Sequence, residues 1–144
     1  MQFPFGSSVL DAASRLLTPF IMLFAVYVLV HGHLSPGGGF QGGAILAAAL
    51  ILVKLNRGRN VQWGLSRVQA LRLSCIGLFV YTAIGLTSLL FGGNFLDYGK
   101  LPLPMEGPHL RAVGTLGIET GVLMGVTGVL TLIFDSLIAW SEEE

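Results

Sequence analysis

The chain has 144 residues, of which 53% are hydrophobic and only 11% are charged. Soluble globular domains carry about 25% charged residues, so this composition excludes water as the main solvent and predicts a single membrane domain. The formal net charge of zero argues against a nucleic-acid partner, and one cysteine, Cys75, excludes a disulfide framework and a cysteine metal centre.

The first predicted helix, residues 12–31, leads into the stretch HGHLSPGGGFQGG. His31 and His33 are two residues apart, so they do not share a helix face, and no third metal ligand has a recognisable spacing. We therefore expect no metal site. The two histidines are candidates for proton transfer, because histidine titrates near neutral pH. The alternative is that they cap the backbone where the helix ends.

The second predicted helix, residues 40–55, is short. At about 1.5 Å per residue it covers about 24 Å, whereas the hydrocarbon core of a bilayer is about 30 Å thick. This shortfall would draw the preceding loop to the membrane surface, where irregular backbone needs protein partners. The loop is either a tight turn with positive φ at its glycines or a surface of close approach to a partner helix or a polar cavity. We expect 36–40 to be a structural hinge buried against a partner subunit. The structural loop comprises Pro36, Gly37, Gly38, Gly39, Phe40, Gly42 and Gly43.

The third predicted helix, residues 70–91, follows a basic connection. The basic residues assigned to this connection and its flanks are Lys54, Arg57, Arg59, Arg67 and Arg72. The opposite ends of the apolar segments carry only Lys100 and Arg111. Positive charge marks the cytoplasmic side, so both termini are predicted to be cytoplasmic.

The fourth predicted helix, residues 111–140, carries a stripe of glycines at spacings of three and four. The stripe consists of Gly114, Gly117, Gly121, Gly125 and Gly128. Small residues at this spacing let two helix backbones approach closely. The stripe therefore predicts helix packing, either within this chain or against another subunit.

Glu119 lies on the same helix, roughly opposite the glycine stripe. A charged acid in a membrane helix costs about 2.5–3.5 kcal/mol on insertion scales, so it should not face lipid. It is a candidate for a proton or sodium path, and the alternative is a structural hydrogen bond at a subunit interface. Two buried faces would place this helix inside a larger assembly. Asp135 lies near the cytoplasmic end of the helix and is expected to be interfacial.

Together these segments predict an all-α integral membrane protein with four transmembrane helices and a Gly-rich loop between helices 1 and 2. The whole chain, 1–144, forms one domain. No Walker loop, nucleophile triad or dinucleotide fingerprint occurs in the sequence, so we expect no catalytic residue and no cofactor.

The stretch GHLSPGGGFQGGAILAAALIL, residues 32–52, resembles the MrpB (MnhB) family of small membrane subunits in multisubunit cation/proton antiporters. The family's Gly-His-x-x-Pro-Gly-Gly-Gly-Phe-x-Gly-Gly pattern falls on Gly32, His33, Pro36, Gly37, Gly38, Gly39, Phe40, Gly42 and Gly43. The segment GTLGIETGVLMGVTGVLTLIF, residues 114–134, is similar to the family's last helix.

This resemblance implies an accessory subunit of an Mrp-type Na⁺/H⁺ antiporter in the cytoplasmic membrane of a prokaryote, a secondary transporter subunit rather than an enzyme. Its partners would be other membrane subunits of the complex, and Na⁺ and H⁺ would be the transported ions. Two alternatives stay open, namely the equivalent subunit of a membrane-bound hydrogenase or related ion-pumping respiratory complex, and a purely structural scaffold.

Overall fold

A computed structural model describes residues 8–32, 37–57, 64–105 and 107–141 of the chain. The regular structure of these residues is helical, and comprises α1 (Ser8–Val30), α2 (Gly38–Arg57), α3 (Arg67–Leu90), a short 3₁₀ helix (Tyr98–Lys100) and α4 (Pro108–Ser141). All four α-helices are long and apolar enough to cross a membrane. The chain is therefore an all-α, multi-pass membrane protein, as its composition predicts.

The second helix is longer than expected from the sequence. It has 20 residues, which at about 1.5 Å per residue span about 30 Å and match the thickness of the hydrocarbon core. Residues 40–55 alone are too short to cross, and the span is completed by Gly38 and Gly39 at one end and by Asn56 and Arg57 at the other. The helix begins earlier and ends later than 40–55 because the glycines before Phe40 already have helical geometry and Arg57 still closes the last turn.

Most of the glycine-rich stretch is helix and not loop. Gly38, Gly39, Gly42 and Gly43 belong to α2, whereas Gly37, with a φ of +95°, lies in the turn before it. The assignment of Gly38 to Gly43 as loop residues is thus corrected. Glycine is a poor helix former in water, but here each of these four positions is occupied by a close helix–helix contact that a side chain would block. His33 and Pro36 lie outside the described residues.

The helices pack side by side in the order α1, α2, α4, α3. The helix pairs α1–α2 and α3–α4 are antiparallel, because Ala25 meets Gly42 and Gly77 meets Gly121 while the chain reverses between them. In contrast, α2 and α4 run parallel and are in contact from Gly39 to Lys54. Within the part of the chain that the structure describes, α3 contacts neither α1 nor α2.

Small and polar residues fill the interior, while large apolar residues face outward. Ala25, Ala47 and Ala49 are fully buried, whereas Phe79 and Leu90 are 72% and 83% exposed. This distribution is the reverse of a water-soluble core. It fits a lipid environment, in which apolar side chains gain nothing by leaving the surface and small residues allow helices to approach.

Both boundaries of α3 have local causes in the sequence. Ser66 forms a capping box with Gln69, in which the Ser66 hydroxyl accepts from the Gln69 amide at 3.3 Å and the Gln69 side chain accepts from the Ser66 amide at 2.9 Å. After α3 the chain turns at Gly92, with a φ of +78°. The ring of Phe95 then packs on Gly85, where no side chain intervenes.

Candidate functional site

The stretch GGFQGG contains two overlapping Gly-x-x-x-Gly pairs, and each pair faces a different helix. Gly38 and Gly42 face α1, because a Cβ added at Gly42 would lie 2.9 Å from the carbonyl oxygen of Ala25. Gly39 and Gly43 face α4, because a Cβ added at Gly43 would lie 2.9 Å from the carbonyl oxygen of Leu123. Consecutive residues of a helix point in directions about 100° apart. Because each glycine is followed directly by a second one, α2 has two faces at which another helix can approach closely.

Glu119 lies where α1 ends and α2 begins. Its backbone packs on Gly39 in the first turn of α2, and its carboxylate occupies the space that a side chain at Gly32 would fill. Gly32 and Gly38 also contact each other. Glu119 is half-buried. The structure therefore brings this predicted ion-path residue together with the predicted glycine stretch, a proximity that neither motif reveals in the sequence.

The two helix ends beside Glu119 have opposite polarity. The N-terminus of α2 carries partial positive charge from its free amides, which favours a carboxylate. The C-terminus of α1 carries partial negative charge from its last carbonyls, which favours a cation or a proton. This junction can therefore hold an anion and a cation side by side.

His31 is turned away from the buried side of α1. Its ring packs at a tilt of 31° on the ring of Tyr27 with centroids 4.1 Å apart, and its Nδ1 lies 3.0 Å from the carbonyl oxygen of Tyr27. The side chain is exposed. This geometry corresponds to the capping role for His31. His33 lies outside the described residues.

The glycine stripe of α4 faces this chain's own α3 and the connection between α3 and α4. Gly114 is covered by Tyr98 and Leu101, and Gly117 by Ile84. Gly121 packs on Gly77, and Gly128 packs on Ala70 and Ser74. Both faces of α4 therefore make contacts inside this chain, the stripe with α3 and Glu119 with α2. These contacts do not depend on another subunit.

Gly125 differs from the rest of the stripe, because a Cβ added there would meet no atom within 4 Å. It opens into an apolar groove of about 560 Å³ on the α3–α4 surface, lined in part by Phe40, Leu78, Tyr81 and Val126. Phe40 is 60% exposed beside this groove. The expectation that residues 36–40 are buried against a partner is corrected for Gly38 and Gly39, which are buried by this chain's own helices.

A buried ion pair between α2 and α4 is the feature that the sequence analysis missed. Lys54 Nζ donates hydrogen bonds to Oδ1 and Oδ2 of Asp135 at 2.8 and 2.7 Å, and both side chains are 6% exposed. The assignment of Lys54 to the basic connection is therefore corrected, because Lys54 belongs to α2 and its side chain is buried against Asp135. The sequence contains one indication of this pair, because a lysine and an aspartate both lie in apolar segments. The 81 residues between them hide the pairing.

A second polar cluster joins α1 to α2 at the same end of the bundle. The side-chain amide of Asn56 donates to Asp11 at 3.2 Å and to Ser14 at 2.7 Å, and all three residues are buried. Arg15, whose side chain is 60% exposed, donates to Asp11 at 2.8 Å. The end of the bundle at which α1, α2 and α4 meet is therefore polar inside and charged at its surface.

Tyr98 lies in the connection before α4, at the opposite end of the bundle. Burial raises the pKa of the Tyr98 phenol above its ordinary value, and the nearby Tyr81 and Glu119 raise it further, because a phenolate at Tyr98 would be repelled by an ionised Tyr81 and by the Glu119 carboxylate. Among the described residues, no group of histidines, cysteines and acids is arranged to hold a metal ion.

Comparison with known proteins identifies the architecture. Residues 9–132 match a family model described as a domain related to the MnhB subunit of Na⁺/H⁺ antiporter. The chain is 31% identical over 138 residues to the Na(+)/H(+) antiporter B subunit of Bacillus subtilis, covering 94% of both chains. It is 32% identical over 127 residues to the probable K(+)/H(+) antiporter A/B subunit of Rhizobium meliloti, covering 85% of this chain but 12% of that protein.

The chain is also similar to solved structures, and the following one is an example. It belongs to the membrane-bound sulfane sulfur reductase, an archaeal respiratory membrane complex. The sequence identity is 31% and the TM-score is 0.59, with 90% of this chain and 59% of that chain covered. The chain therefore spans little more than half of the length of this structural relative.

Proposed function

Because the chain belongs to the MnhB family of antiporter subunits, we propose that it is an accessory membrane subunit of a multisubunit Na⁺/H⁺ antiporter, with a structural role and a role in ion transfer. It is then part of a secondary transporter and not an enzyme, and it acts with other membrane subunits in the cytoplasmic membrane of a prokaryote. In this proposal Glu119 contributes a carboxylate to an ion path, and the glycine faces of α2 hold that carboxylate in place.

The observation that carries the proposal is the position of Glu119 at the junction of α1 and α2. Ion sites inside membranes are commonly built where helices end, because amides at one helix end and carbonyls at another can hold charges that lipid would exclude. A carboxylate at such a junction exchanges a proton for Na⁺, since either cation neutralises it. Gly32 leaves the space that this carboxylate needs, and Gly39 lets the backbone of Glu119 approach α2.

The test is Glu119→Gln, which keeps the size of the side chain and its hydrogen bonding but removes its charge. The matched control is Asp97→Asn in the outer connection, where the carboxylate accepts from the amide of Gly99 at 3.2 Å and an amide oxygen can do the same. Assembly is measured on blue-native gels, and antiport by Na⁺-induced collapse of a pH gradient in everted vesicles. We expect both complexes to assemble and only the Glu119→Gln complex to lose antiport. Unchanged antiport in an assembled Glu119→Gln complex would refute the role in ion transfer, and only the role as a scaffold would remain.

A second candidate function is favoured by the structural similarity to a respiratory complex. In that case the chain would be the equivalent subunit of a hydrogenase-type or related ion-pumping complex. Purification of the native complex through an affinity tag on this chain separates the two candidates. Copurification of antiporter subunits alone supports the first candidate, and copurification of iron–sulfur or hydrogenase subunits supports the second.

A further inference from the structure

We propose that the groove on the α3–α4 surface binds one acyl chain of an anionic phospholipid, whose phosphate is held by Arg67 and Arg72 at the N-terminal end of α3. This lipid site goes beyond the proposed antiporter function, since it requires only that the helices lie in a bilayer. It starts from two observations, an apolar groove of about 560 Å³ and two exposed arginines beside it.

The groove runs along α4, with α3 on one side and Phe40 of α2 on the other. Its volume lies within the range of roughly 300–1,000 Å³ that is usual for ligand pockets. Gly125 lines it, and a Cβ added there would meet no atom within 4 Å. In contrast to the other glycines of the α4 stripe, Gly125 therefore serves no helix contact within the described chain. Its missing side chain instead widens the groove.

The length of the groove matches one leaflet of a bilayer. Along α4 the lining residues extend from Gly121 to Leu130, which at about 1.5 Å per residue is about 14 Å. Half of a hydrocarbon core of about 30 Å is about 15 Å. A single acyl chain therefore fits along the groove, whereas a helix that crosses the whole membrane would extend well beyond it.

Arg67, the first residue of α3, lies at one end of the groove. Gly128 packs on Ala70 across the antiparallel α3–α4 contact. Arg67 is about one turn before Ala70, so it lies close to the level of Leu130, where the groove ends. Arg67 is also seven residues before Ser74, which lines the groove, and residues seven apart share a helix face.

The two arginines are available to bind a phosphate. Both are exposed, and neither forms an ion pair with another described residue. Arg72 lies three residues before Cys75, which also lines the groove, so about one helical turn separates the two. At this end of the bundle Asp11 and Asp135 are already ion-paired within the chain. Basic side chains beside membrane helices bind anionic lipid headgroups in this way.

Charge complementarity favours a phospholipid over a helix of another subunit as the occupant. An apolar helix would fill the groove but leave both arginines without a counter-ion, whereas a phospholipid supplies an apolar chain and an anionic phosphate in one molecule. The guanidinium group suits phosphate because it donates two parallel hydrogen bonds. The free end of the acyl chain then lies against Phe40 and Tyr81, which line the groove near the level of Gly121.

The test uses the full complex, delipidated and reconstituted into phosphatidylcholine vesicles with a phosphatidylglycerol probe that carries a photoreactive diazirine in its acyl chain. Mass spectrometry after irradiation locates the labelled residues. We expect label within 74–81 of α3 and 121–130 of α4, and displacement of the probe by unlabelled phosphatidylglycerol but not by added phosphatidylcholine. Equal displacement by both lipids, or a groove that is unlabelled because it is occupied by another subunit, would overturn the proposal.

The arginines are tested by Arg67→Gln combined with Arg72→Gln. The amount of phosphatidylglycerol that halves the labelling should rise by about fivefold for each arginine removed. The matched control is Lys100→Gln, at an exposed lysine near the opposite end of α3, which should leave the displacement unchanged. Displacement at the wild-type level in the double variant would overturn the role of the arginines and with it the selectivity for an anionic lipid.

The groove is tested by Gly125→Phe, which fills it without meeting another residue at the Cβ position. Labelling of 74–81 and 121–130 should be lost. The matched control is Ile76→Phe, at a half-exposed residue of α3 that does not line the groove, and this variant should be labelled like the wild type. Undiminished labelling in Gly125→Phe would overturn the proposal. If a variant does not assemble, the competition between the two lipids in the wild-type complex decides by itself.

Discussion

The backbone of Gly39 in α2 packs directly on the backbone of Glu119 in α4. This contact joins two features that are far apart in the sequence, a glycine stretch in the first third of the chain and an acidic residue in the last helix. It also sets the parallel register of α2 and α4, and the same register brings Lys54 to Asp135 at the other end of the seam. Glu119 and the Lys54–Asp135 ion pair therefore lie along the same helix pair.

Gly38→Val should impair assembly of the complex and lower the stability of the chain by about 1–3 kcal/mol or more, because a Cβ at Gly38 would lie 3.1 Å from the carbonyl oxygen of Val28 and overlap Gly32. Gly125→Val is the matched control, since a Cβ there meets no atom within 4 Å. Blue-native gels and thermal unfolding in detergent measure both effects. Equal behaviour of the two variants, or an assembled Gly38→Val complex with a changed sodium affinity, would contradict the packing role.

Thr127→Val should cost about 0.6 kcal/mol, the average for interhelical hydrogen bonds in a membrane protein, because it removes the bond to Gly43 but keeps the shape of the side chain. Thr82→Val is the control, since the exposed Thr82 hydroxyl bonds only to the carbonyl oxygen of Leu78 in its own helix. Unfolding in mixed micelles gives the free-energy difference. A loss of several kcal/mol for Thr127→Val would mean that the seam depends on this bond far more than on glycine packing.

Tyr98 should ionise only at unusually high pH. Its phenol is favoured in the folded state, so this contribution to stability is complete below pH of about 10 and is lost as pH rises through the raised pKa. Absorbance of tyrosinate near 295 nm, compared between wild type and Tyr98→Phe, measures the midpoint. Glu119→Gln should lower this midpoint, because it removes one source of negative charge. An unchanged midpoint in the Glu119→Gln variant would show that the charge of Glu119 does not affect the ionisation of Tyr98.

The predicted orientation can be tested by cysteine labelling. In a background with Cys75→Ala, a cysteine at position 60 should react with a membrane-impermeant maleimide only from the cytoplasmic side. A cysteine at position 97 should react only from outside. The orientation follows from the excess of lysine and arginine near the α2–α3 connection. This excess persists after Lys54 is assigned to a buried ion pair, because Arg57, Arg59, Arg67 and Arg72 remain. The reverse labelling pattern would refute it.

Local and compositional features of the sequence determined the fold class. Four apolar segments separated by turn residues and charges are sufficient to predict four membrane helices, because the bilayer excludes charge and demands internal backbone hydrogen bonding. Spacing within one helix likewise identified the glycine stripe of α4 and placed Glu119 opposite to it. These are properties of a single segment, and they need no knowledge of its neighbours.

Only the tertiary structure decided which segments meet. It showed that the glycines of GGFQGG are helical and face two different helices, that the glycine stripe of α4 packs on α3 of the same chain, and that Lys54 pairs with Asp135. Helix propensity argues against helical glycine, and hydropathy does not show which carboxylate a lysine near a helix end meets. Long-range contacts decide both, since close backbone approach favours glycine and a carboxylate 81 residues away compensates the buried charge.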